Sequence, residues 1–121
     1  NFRESLVKAR SLVGVRRPLL IFPEGTRSLS GQLQPFKLGI GLLAFELDVP
    51  IVPVHISGTY QALPKGKHRP GRHPIRLLFG EPLEMDSFRA RADGLSSYEV
   101  YREIAEALRR DIERLTAENG G

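Results

Sequence analysis

The sequence predicts an α/β domain, a partial and mostly parallel sheet flanked by helices. Three observations carry that expectation. Short apolar runs of strand length occur at 19–22, 51–56 and 75–79. Segments with helical periodicity lie before, between and after them, and Pro and Gly punctuate most of the junctions.

The elements follow in order. Over 1–14, Leu6, Ala9, Leu12 and Val13 mark one apolar face, Asn1 and Glu4 form a variant capping box, and Gly14 is the expected stop. The run at 19–22 is unbroken in its apolar character, which suits a strand covered on both faces. Residues 24–34 are polar and rich in Ser, Gly and Gln and read as a loop. Pro35 suits the first position of a helix running to Leu47. That helix is apolar nearly all round and therefore expected to be buried, with Gly39 and Gly41 packed closely against a strand or a ligand. Pro53 cannot donate to a ladder, so the strand at 51–56 is expected to sit at an edge or carry a bulge. A Pro- and Gly-rich loop with basic residues precedes the third strand at 75–79. Residues 83–95 have no defined pattern. Ser96 and Glu99 form a capping box for a terminal helix over 96–118, with Val100, Ile104, Leu108, Ile112 and Leu115 at helical spacing.

The 121 residues fit a single domain, 1–121, and 40% hydrophobic with 26% charged residues is a globular composition. With no cysteine there is no disulfide, no thiol nucleophile and no cysteine-ligated zinc. The net charge of +4 favours anionic partners, although a solvated surface with a slight Arg excess accounts for it equally well. The apolar stretch 38–45 is interrupted by glycine and falls well short of the ~20 residues of a membrane-spanning helix.

The sharpest constellation is Glu24-Gly25-Thr26-Arg27-Ser28, delivered by the apolar run before it. Ligands in open α/β sheets lie just beyond the carboxyl ends of strands. Arg27 offers a planar fork suited to phosphate, and Glu24 can orient a hydroxyl. A surface turn in which Glu24 and Arg27 pair with each other is the competing reading. Lys37, expected in the first turn of the second helix, stands against the helix dipole unless an anion is bound there. A lysine that snorkels past Phe36 is the alternative. The basic loop with Lys65, Lys67, His68, Arg69, Arg72 and His73 could meet anionic headgroups or a coenzyme A phosphate, or simply be solvated. Nucleic-acid binding is not expected, because no such motif occurs and only 7% of residues are aromatic. His68 and His73 lack further ligands at fixed spacing, so no metal is expected.

The stretch Phe22-Pro23-Glu24-Gly25-Thr26-Arg27-Ser28, continued by Gln34-Pro35-Phe36-Lys37 and by Val49-Pro50-Ile51-Val52-Pro53-Val54, resembles the third and fourth signature blocks of the glycerolipid acyltransferases. The resemblance covers about residues 1–85 and implies the C-terminal portion of such a domain. It implies substrate binding by Glu24, Gly25, Thr26, Arg27 and Ser28, with Lys37 alongside. The family's catalytic pair is a His followed five residues later by an Asp, and His55, His68 and His73 are followed at that distance by Tyr60, His73 and Leu78. The resemblance therefore implies that the catalytic half lies upstream of Asn1, that no catalytic residue is in this chain, and that these residues alone are inactive.

What the resemblance implies for the parent protein is acyl transfer from acyl-CoA or acyl-carrier protein, as co-substrate and with no cofactor, to a lysophosphatidate-like acceptor in phospholipid biosynthesis. It implies partners that are a phosphorylated glycerolipid, an acyl thioester and a peripheral membrane surface on the cytoplasmic side. The alternative is a non-catalytic module that binds phosphorylated lipid or an anionic membrane surface.

Overall fold

The computed structural model describes residues 2–24, 36–58, 69, 71–72 and 74–118. Asn1, the 25–35 segment with Pro35, most of the basic loop and the terminal Asn119-Gly120-Gly121 lie outside the described residues. In chain order the elements are helix α1 (Phe2–Gly14), helix α2 (Gly39–Leu47), strand β1 (Val54–Ser57), strand β2 (Arg76–Phe79), a short helix α3 (Asp86–Ala90) and a long helix α4 (Ser97–Glu118).

Helix α1 forms where its apolar spacing predicts, and Ala9 is its buried contact. Gly14 is its last residue, but the left-handed turn falls two residues later, on Arg16 at φ 61°. The Leu12 carbonyl accepts from the Arg17 N–H at 3.0 Å and the Val13 carbonyl from the Arg16 N–H at 2.9 Å. This is a Schellman closure built on a residue that has a Cβ.

The core lies between α2, α3 and α4. Ala44, Met85, Phe88, Val100 and Ile104 form one buried cluster, and Ile40, Ala105, Leu108 and Ile112 continue it along α4. The contact between α2 and α4 explains one of the two glycines. A Cβ on Gly41 would stand 2.2 Å from the Tyr101 carbonyl oxygen, so the helices meet backbone to backbone. The partner of this glycine is a helix, where the sequence suggested a strand or a ligand. Helix α2 ends on Asp48 in the left-handed region, φ 53° and ψ 55°. Arg89 of α3 closes this end: its Nε donates to Asp48 Oδ1 at 3.1 Å, its Nη2 donates to the Phe45 carbonyl, and its guanidinium lies 4.4 Å from the Phe45 ring centroid. The 83–95 segment thus supplies core residues and a helix cap, although its sequence shows no regular period.

Strands β1 and β2 pair antiparallel, Val54 with Phe79 and Ile56 with Leu77. An isolated bridge joins Ile51 to Leu83. Pro53 is buried between bridge and strand, and its carbonyl accepts from the Gly80 N–H at 2.9 Å. Proline thus stands immediately before the strand, where its missing N–H costs no ladder bond. The α/β class holds, while two sequence expectations do not. The described sheet has two strands and is antiparallel, so the mostly parallel arrangement is not what these strands adopt. The 19–22 run is not a covered strand: it has no ladder partners among the described residues, with Leu20 79% and Phe22 65% exposed. A parallel pairing needs a crossover that lays a neighbouring strand beside it, and no described strand lies beside 19–22.

Helix α4 starts as its capping box predicts. The Ser96 hydroxyl accepts from the Glu99 N–H at 3.2 Å. Its buried residues Val100, Ile104, Ala105, Leu108 and Ile112 recur at helical spacing and face α2 and the sheet.

Candidate functional site

The two halves of the polar motif meet. The backbone N–H of Lys37 donates to the Pro23 carbonyl at 2.7 Å. This bond clamps the end of the apolar run to the segment leading into α2, bringing the backbone at Pro23 against that at Lys37, fourteen positions further along the chain. Glu24 is half-buried and Lys37 is exposed. Gly25, Thr26, Arg27 and Ser28 lie outside the described residues.

Lys37 does not sit where the sequence placed it. Helix α2 begins at Gly39, with Leu38 as its N-cap and no side-chain cap. Lys37 is therefore one residue outside the helix, and its N–H is satisfied by the turn after the run, not by an anion. The expected conflict with the helix dipole is relieved by this position. The side chain is exposed beside the clamp.

Next to it a cleft of about 230 Å³ opens between the approach to α2 and helix α4, lined by Phe36, Leu38, Arg102, Ala105, Glu106 and Arg109. Arg109 is paired with Glu113 at 3.1 Å. The sequence reading passed over this wall of the site. Its only signal was Arg102 and Arg109 seven residues apart, two turns of one helix face, with small Ala105 between them. Phe36, Leu38 and Ala105 give the cleft an apolar wall, and Arg102, Glu106 and Arg109 a polar one of mixed sign.

His55 is engaged elsewhere through its Nδ1. It lies on β1 toward α4, and its Nδ1 is 3.2 Å from the Thr116 hydroxyl. That hydroxyl donates to the Ile112 carbonyl at 3.1 Å, which leaves Nδ1 as the donor in the His55 contact. His55 ties sheet to helix. His68 and His73 lie outside the described residues. Among the described residues no three potential ligands gather into a metal site, and no helix is long and apolar enough to cross a membrane.

Comparison with known proteins places this geometry in a class. The Acyltransferase family model matches residues 2–57, which take in the clamp, α2 and β1. Over these residues the chain resembles that family. Within it, the similarity is to 1-acyl-sn-glycerol-3-phosphate acyltransferases. The Cocos nucifera enzyme of that name is 40% identical over 80 residues, 66% of this chain and 26% of that one. A chloroplastic one from Brassica napus is 33% identical over 106 residues, 87% of this chain and 29% of that one. The crystal structure of the 1-acyl-sn-glycerophosphate acyltransferase PlsC from Thermotoga maritima superposes with a TM-score of 0.65 at 34% identity, over 93% of this chain and 44% of that one. The chain thus spans between a quarter and a half of the length of these relatives.

Proposed function

We propose that this chain is the acceptor-binding portion of an enzyme that transfers an acyl group from a thioester, acyl-CoA or acyl-carrier protein, to the free hydroxyl of lysophosphatidate. The observation that carries the reading is the Lys37 N–H to Pro23 carbonyl bond. It brings the backbone just before Glu24 against that of Lys37, and in this reading Arg27 and Lys37 share one anion. The relatives' shared name supplies the anion's chemistry, a glycerol phosphate.

In this reading the chain's own groups bind and orient. Arg27 takes two phosphate oxygens with its planar fork, and Lys37 neutralises the remaining charge as a mobile point cation. Thr26 and Ser28 add hydroxyl donors, Gly25 lets the backbone approach, and Glu24 accepts from a glycerol hydroxyl. The acyl chain follows the Phe36 and Leu38 wall. Fixing the acceptor in this way removes rotational freedom before the bond-forming step, an effect that reaches several kcal/mol in well-oriented systems. The attacking hydroxyl still needs a base, which no histidine in this chain provides at the family's spacing. The isolated chain is therefore expected to bind acceptor without turning it over. A peripheral position at the cytoplasmic face of a membrane follows from the lipid nature of that acceptor.

The test is equilibrium binding of short-chain lysophosphatidate and of the matching monoacylglycerol, which lacks the phosphate. The reading expects binding of the first at least tenfold tighter than of the second, and a loss of that preference in Arg27→Ala. Equal affinity for both ligands contradicts it. Phosphate-dependent binding that survives Arg27→Ala would instead favour a general anionic-lipid module, to which the net charge of +4 also lends itself.

A further inference from the structure

We draw no further inference here: the strongest candidate, the apolar outer face of the two-stranded sheet with Val52, Ile75, Leu77 and Phe79 exposed on it, carries none because nothing in the structure shows what covers it.

Discussion

Tyr101 shows how single side chains set the packing that presents the site. Its hydroxyl donates to Glu46 Oε1 at 2.5 Å, joining α4 to α2 one turn from the Gly41 crossing. The carboxylate acceptor, burial and the nearby negative charge all hold the phenol above its ordinary value of 10.0, against a smaller opposing effect of Ser97. The folded state therefore favours the protonated phenol. The stability this confers is present below the unfolded value and is lost as pH rises through the higher folded one. Chemical denaturation between pH 9 and 11.5 should show stability falling at the alkaline end, and Tyr101→Phe should flatten that part of the profile. At neutral pH the same substitution should cost about 0.5–1.5 kcal/mol, the net worth of one such bond. Gly41→Ala gives a sharper expectation at the same crossing. Helix propensity alone would favour Ala by about 1 kcal/mol, but a methyl 2.2 Å from a backbone oxygen forces the helices apart. Overpacking of this kind costs about 1–3 kcal/mol, so the variant should unfold at lower urea. A stabilised Gly41→Ala would mean that α2 and α4 are not in contact there.

At the scale of elements, the sequence was most legible where a chemical signature fixed a boundary. Ser96 and Glu99 announced α4, and the Ser96 hydroxyl receives the Glu99 N–H as the capping box requires. Ser96→Ala should cost about 1 kcal/mol, seen as faster amide exchange in the first turn of α4 with the middle of the helix unchanged. Strand β2 and the apolar character of 51–56 were equally readable, and Pro53 ended up just outside its strand for the reason its missing N–H gives. Three things were not legible. The start of α2 moved from Pro35 to Gly39 because the Lys37 N–H is taken by the Pro23 carbonyl, a long-range bond with no local signal. The 83–95 segment looked featureless because Met85 and Phe88 reach the core from a single short turn, too brief to show a period. The 19–22 run reads as a covered strand because composition reports the environment a segment is suited to. The described residues supply neither a neighbouring strand nor a cover.

At the scale of the whole molecule, these features divide the chain into a finished side and an open side. The α2–α3–α4 core is closed, while the outer sheet face and 19–22 remain apolar and exposed. The isolated chain should therefore associate with increasing concentration, and Leu77→Lys with Phe79→Lys should reduce that association in light scattering while leaving the thermal midpoint nearly unchanged. A large drop in the midpoint would mean that these side chains are already packed within the chain. The residues proposed to bind phosphate were legible as a cluster only through the motif. What the fold adds is that the backbone at Pro23 meets that at Lys37, and the proposal that Arg27 and Lys37 serve one anion is built on this contact.

That assignment is tested most directly by a double-mutant cycle on lysophosphatidate binding, with Arg27→Ala, Lys37→Ala and the pair. Two cations on one phosphate should couple, with the double variant departing from the sum of the singles by more than about 0.5 kcal/mol. Additivity, with each single loss simply summing, would place the two side chains on separate surfaces and contradict the shared site.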